Sequence, residues 1–465
     1  MNDATNPPTT SPTMPRHAAA RLGDGLVTAP VSGRHRAPRP TTKPAPQLPC
    51  DCPDFRTSRR SFLQGLTAIA GTTVLSSLVG TTFTQAAFAD TPGPQNVLIV
   101  LSLRGGADGL SLVVPHGDRD YYRARPTLGI PASKLLASDE MFGLHPRFAP
   151  VLPLWQQGKM AAVHAVGLPQ PNRSHFAAIE EVEDATPGSP QRTGWLNRLI
   201  GLNDHSEITE AVEMGSMMVP MSLFGDEPVL SVRKIDEMVV PGPGDPEGMQ
   251  RRLAALNLTW GKAGGPLGRG ARAALDVSDT FKDIVGGPTK PQHGAVYPKG
   301  ELGDTLAETA RLIRADLGAI VITVDYGTWD MHADLGTLEW GSMIGMVDEL
   351  GHAISAFFTD LGDVGSRVTM VTVTEFGRRV QENASRGLDH GYGNVMLLAG
   401  AGVRGGKYYG SWPGLAAGRL VDGDLAVTRD YRSVLTEVVR SRFGYDTSKV
   451  FPDFKPEKIG VMLGA

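Results

Sequence analysis

Continuous apolar runs alternating with stretches of helical periodicity organise residues 95–443. The run 95–103, QNVLIVLSL, has the unbroken character expected of a central parallel strand buried on both faces. Runs at 160–166, 319–324, 368–373 and 395–399 are of the same kind. Between and after them, apolar positions at helical spacing predict helices over 148–157, 177–183, 302–316, 340–360 and 430–443. The last of these carries Val434, Leu435, Val438 and Val439 on one face. This alternation predicts an α/β fold, a mostly parallel central sheet flanked by helices with right-handed crossovers. Residues 194–300 interrupt the pattern with short strand-like pieces at 211–218 and 228–231 among frequent Gly and Pro, which predicts an irregular insertion or cap. The structured domain is expected to span 91–465.

The chain before that domain has a different composition. Residues 1–56 are rich in Pro, Thr and Ala and poor in large apolar groups, the composition of a disordered leader. The segment 57–89 opens with Thr57-Ser58-Arg59-Arg60-Ser61-Phe62-Leu63-Gln64, which resembles a twin-arginine export signal. A mildly apolar stretch rich in Gly, Thr and Ser follows, ending in Ala87-Phe88-Ala89, a small-x-small cleavage site before Asp90. The expectation is export by the twin-arginine machinery to a secreted, periplasmic or cell-envelope location, with no stable membrane span in the mature form. Both cysteines, Cys50 and Cys52, lie upstream of the cleavage site. The mature chain then has no thiol, so any metal it binds takes nitrogen and oxygen ligands. A net charge of -4 with 20% charged residues gives no basic field for nucleic acid.

Candidate chemistry follows the strands. Asp108 closes the first run in RGGADG; Asp330 and His332 lie in VDYGTWDMHAD; Glu375 lies in VTVTEFGRR; Asp389 and His390 lie in RGLDHGYGN. Loops at the carboxyl ends of strands in an open α/β sheet converge on one crevice. Four carboxylates and two imidazoles gathered there would suit a divalent cation, with zinc, calcium and magnesium all open. Taken singly, each motif reads more readily as a hydrogen-bonded loop than as a ligand; it is the three together that favour the metal. Phosphoryl- or sulfuryl-transfer chemistry also needs a nucleophile, and Ser174 in PNRSHF stands at a predicted helix start, as nucleophile or simply as N-cap. Arg104, Arg173 and Arg378 adjoin the motifs and could grip a phosphate or sulfate, or could be surface arginines. There is no Walker A sequence, no dinucleotide fingerprint and no Gly-x-Ser-x-Gly elbow.

The ordered set RGGADGL, PNRSHF, GTWDMH, TEFGR, LDHG and GVRGG resembles the exported DUF1501 family over nearly the whole mature chain. That family is similar to the alkaline phosphatase-like superfamily, which includes sulfatases and phosphoglycerate mutases. The resemblance implies a metal-dependent hydrolase of small phosphorylated or sulfated substrates. Asp108 would match the first-strand metal aspartate, Ser174 the nucleophile, Asp330 and His332 the ligands of one metal, and His390 the late metal histidine. Glu375-Phe376 stands where the superfamily has Asp-His, and the Asp330–His332 spacing is shorter than usual. These departures leave open a site with a single metal, or a non-catalytic envelope or secreted binding protein retaining the fold.

Overall fold

A computed structural model describes residues 95–190, 192–203 and 207–465. The expected leader, the twin-arginine segment and both cysteines lie outside the described residues. The strands are β1 (Val97–Leu103), β2 (Val113–Val114), β3 (Gly143–Leu144), β4 (Met160–Gly167), β5 (Ala211–Met214), β6 (Leu230–Val232), β7 (Val321–Tyr326), β8 (Val368–Val373), β9 (Asn394–Gly400), β10 (Tyr408–Tyr409) and β11 (Arg429–Asp430). Helices of ten residues or more among the described residues are α1 (His175–Asp184), α2 (Pro246–Trp260), α3 (Gly265–Phe281), α4 (Glu301–Arg314), α5 (Ser342–Leu361) and α6 (Tyr431–Phe443).

Nine strands form one sheet in the order β10-β4-β9-β8-β1-β7-β5-β6, with β11 also paired to β4, while β2 and β3 make a separate ladder. All the pairings in the large sheet are parallel except those of β9, which runs antiparallel to both β4 and β8. No helix intervenes between β8 and β9 to carry the chain back, so the long loop 374–393 returns it directly and reverses the strand. This reversal places the start of β9 at the edge where β1, β7 and β8 end.

The unbroken apolar character of β1 follows from its position. Val97, Ile99, Leu101 and Leu103 face a core completed by α3, α4 and α5, through residues such as Phe281, Leu306 and Phe357. Leu98 and Val100 face a second core with α1 and α6, through Val182, Val434 and Val438. Both faces of the strand are therefore dry, and no polar alternation is possible. In residues 194–300 the expected strand-like pieces are β5 and β6, which join the main sheet, and the two long helices α2 and α3 follow among loops. The strands are only four and three residues long, and buried Glu213 interrupts the apolar pattern of β5. The expected helix at 148–157 is a 3-10 turn, Pro146–Val151, continued by a short α-helix, Leu152–Gln156.

Candidate metal centre

Five chain segments meet at the carboxyl edge of the sheet. The segment after β4 runs to Ser174 and His175; β1 ends at the Gly105-Gly106 turn; Asp330 and His332 follow β7; Glu375 follows β8; Asp389 and His390 precede β9. Gly105 allows the approach. Its φ is 106°, and a Cβ there would lie 2.7 Å from the backbone nitrogen of Asp330.

Four donor atoms converge. His390 Nε2 lies 2.9 Å from His175 Nε2 and 2.9 Å from His332 Nε2. Asp330 Oδ1 lies 3.0 Å from His332 Nε2, 3.3 Å from His390 Nε2 and 3.4 Å from His175 Nε2. A tetrahedral cation with ligands at 2.0–2.1 Å has ligand-to-ligand edges of about 3.3 Å. The ligating atoms of His175, Asp330 and His390 all lie within 4.8 Å of one another. His332 adjoins the same Asp330–His390 edge.

The partners of the other ring nitrogens show which way each imidazole is turned. His175 Nδ1 meets Glu375 Oε1 at 2.8 Å, His332 Nδ1 meets Asp389 Oδ1 at 2.9 Å, and His390 Nδ1 donates to the Arg173 carbonyl at 2.8 Å. A backbone carbonyl only accepts and a carboxylate accepts when ionised, so each Nδ1 carries the hydrogen and each neutral ring turns an Nε2 lone pair inward. With the rings neutral, three lone pairs and Asp330 Oδ1 face one point, the oxygen also accepting from Arg378. That is a cation's environment, and the outward Nδ1 contacts to carboxylates and a carbonyl are the usual supports of metal-binding histidines.

Electrostatics keep the acids ionised. Burial works to raise the Asp330 carboxyl, but the hydrogen bond and charge of Arg378, with His175 and His332, prevail and bring it down to about 2. Glu375 is likewise opposed by burial; bonds from its own backbone, from His175 and from the Gly106 and Gly105 N–H groups hold it below the ordinary carboxylate value. Asp389 is lowered chiefly by its bond to His332. The cluster is open to water, with the Asp330 and His332 side chains 44% and 45% exposed. Its wall is Phe376, buried and 4.8 Å, ring to ring, from both His175 and His390.

Asp330, His332 and His390, expected from the sequence as ligands, are thus gathered with their donors inward. Glu375 and Asp389, also expected as ligands, stand one step back, each turning an oxygen to an imidazole. Asp108 is not gathered: its two oxygens bind Arg125 at 2.5 and 2.9 Å in a fully buried pair. The three arginines expected to grip an anion are engaged elsewhere. Arg104 pairs with Glu183 at 2.6 Å and Asp325 at 2.9 Å, and Arg173 binds the buried Asp424. Arg378 is buried and donates to the carbonyls of Gly105, Gly106 and Leu388 and to Asp330 Oδ1 at 2.7 Å, so it ties three loops together around the aspartate. Ser174 is the N-cap residue of α1, yet its side chain makes no capping bond and it is exposed. His175 is the residue that sequence reasoning passed over. It had a signal, since it follows a strand as Asp330, His332 and Glu375 do, but the adjacent serine drew the assignment.

Residues 142–436, more than half of the chain, match the family described as "Protein of unknown function (DUF1501)". No curated protein matches the sequence. Among solved structures, similarity is found to the C-terminal periplasmic domain of EcEptC from Escherichia coli in complex with Zn. That match has 10% identity, covers 82% of this chain and 96% of that one, and has a TM-score of 0.33. Similarity to Ps i-CgsB has 9% identity, covers 77% of this chain and 74% of that one, and has a TM-score of 0.33.

Proposed function

Because the chain belongs to the DUF1501 family and turns four inward donors to one solvent-open point, we propose that it is an exported, metal-dependent hydrolase of phosphate or sulfate esters with an alkaline phosphatase-like fold. The observation that carries this reading is the orientation of His175, His332 and His390, each pinned through Nδ1 so that Nε2 faces Asp330. His175, Asp330 and His390 would hold the divalent ion, with His332 beside them. When bound, such an ion supplies positive charge to the ester oxygens and lowers the pKa of a nearby hydroxyl. Export rests on the twin-arginine segment and the Ala87-Phe88-Ala89 site.

The chain's own groups have definite parts. Arg378 and Glu375 fix Asp330 and His175, and Phe376 keeps water from the inner side of the rings. The hydroxyl of Ser174, unused as a cap and next to His175, is the nucleophile. Its oxygen bonds to phosphorus or sulfur, the ester oxygen leaves as the alcohol with the serine's proton, and water then releases the acid and restores the hydroxyl. The test is Ser174→Ala beside the parent, with metal content, melting temperature and hydrolysis of p-nitrophenyl phosphate and sulfate as readouts. Turnover should fall at least about 100-fold with metal content and melting temperature unchanged. An active Ser174→Ala removes the serine from the mechanism. A parent that binds metal and cleaves no ester favours the binding-protein reading.

A further inference from the structure

We infer that the centre holds one metal ion per chain and acts on esters that carry a single negative charge, phosphodiesters or sulfate monoesters, in preference to dianionic phosphate monoesters. This rests on the hydrolase reading and adds the stoichiometry of the ion and the charge of the substrate.

The first half follows from where the carboxylates are spent. Two divalent ions close together repel, and a two-ion site offsets that with several carboxylates binding the ions directly. Among the described residues, His175, Asp330 and His390 form the one group of three or more side chains with metal-ligand spacing. The carboxylates that a second ion would need face elsewhere. Asp108 is locked to Arg125; Glu375 accepts from His175, from the Gly105 N–H at 2.8 Å and from Thr374; Asp389 accepts from His332 and Asn383. Phe376 occupies the place after Glu375 where a ligand could have stood, and it packs against two imidazoles instead.

The second half is a matter of charge. Next to the donors stand Asp330, Glu375 and Asp389, and the one guanidinium bonded to them is that of Arg378; Arg379, which also acts on Asp389, lies against Asp422 and Asp424. One divalent ion balances those three carboxylates and the Arg378 guanidinium. No guanidinium beside the donors is left over for the substrate: Arg104 is paired with Glu183 and Asp325, and Arg173 and Arg379 stand against Asp422 and Asp424. A monoanion is attracted to the ion without bringing a second, uncompensated charge against Asp330 and Asp389, whereas a dianion brings one.

The experiment strips the purified full chain with a chelator, titrates it with zinc or manganese alone, and counts bound ions by elemental analysis. Hydrolysis is then compared for bis-p-nitrophenyl phosphate, p-nitrophenyl sulfate and p-nitrophenyl phosphate, which share a leaving group, each as the ratio to its rate in buffer. The expected result is one equivalent bound, and a rate ratio at least about tenfold higher for the monoanions than for the dianion. Two equivalents of similar affinity, or a higher ratio for the dianion, overturn this inference and leave the hydrolase reading standing. No metal bound, or no turnover of any of the three, overturns the hydrolase reading itself.

Discussion

Two acid-rich groups lie on the same edge of the sheet, and they differ in where their positive charge comes from. In the first, Glu375 and Asp389 orient two of the three imidazoles, and the inward Nε2 atoms meet only one another and Asp330 Oδ1, which Arg378 also binds. In the second, Glu183, Glu213 and Asp325 surround Arg104, which bridges Glu183 and Asp325, while Thr323 donates to Glu213. The second group has closed on its cation; in the first, the guanidinium of Arg378 binds Asp330 alone of the three acids, and the three inward imidazole nitrogens meet no protein cation. An accumulation of carboxylates therefore does not by itself mark a metal site. The sign of one is a set of side chains whose outer atoms are satisfied and whose inner atoms are not.

The comparison breaks most visibly at His390. His390→Ala removes a donor shared by both the His175 and His332 contacts, and should lower metal affinity and ester turnover together, each at least about 100-fold. Chelator should lower the melting temperature of the parent and leave that of the variant unmoved. If His390→Ala binds metal like the parent, the inward donors are not a metal site and the contrast between the two groups collapses.

The next largest effect belongs to the other group. Arg104→Ala takes away the cation that Glu183 and Asp325 share and leaves the buried Glu183 without its counter-charge, facing the half-exposed Asp325. A loss of about 3 kcal/mol is expected, because removing one partner of a largely buried pair strands the other. Thermal unfolding with and without chelator separates the two groups: Arg104→Ala should melt lower and still bind its ion. Metal loss at unchanged stability would mean that Arg104 belongs to the first group.

How much of this was legible in the sequence depended on the range of the cause. Strands β1, β7, β8 and β9 were legible because burial on both faces writes an unbroken apolar run. Asp330, His332, Glu375, Asp389 and His390 were legible as a cluster because strand ends in such sheets converge. Their division into inward donors and outer supports was not, since that depends on which way each ring turns. The partners of Asp108 and Arg173 are 17 and 251 residues away, a pairing that no local pattern encodes. The strands β5 and β6 show in the sequence only as short strand-like pieces, and their place in the main sheet is hidden for a related reason: Glu213 is a charge-bearing residue in a strand interior, with Thr323 and the Arg104 group beside it.

Glu213 supplies the smallest and most discriminating test. It is fully buried, and one of its carboxylate oxygens has no hydrogen-bond partner. Burial raises its pKa well above the ordinary value, Asp325 and Glu183 add to the rise, and Thr323 and Arg104 oppose it. The folded chain therefore holds this proton in a pH range where the unfolded chain releases it. With fewer protons bound in the unfolded state, stability falls as pH rises above the unfolded value near about 4.3, until the folded carboxyl itself ionises. Glu213→Gln keeps the shape and cannot ionise, so that part of the decline should disappear. At pH 5 the variant and parent should melt alike; at pH 8 the variant should melt higher, by roughly 2 °C or more. Asp330 is lowered rather than raised, and it contributes in the opposite sense: its stabilisation is present at neutral pH and is lost as pH falls toward about 2. Two acid groups on one sheet edge should thus bend the stability profile in opposite directions. A Glu213→Gln profile parallel to that of the parent from pH 5 to pH 8 would show that Glu213 is ionised in the folded chain, and that the second group holds more negative charge than Arg104 alone can balance.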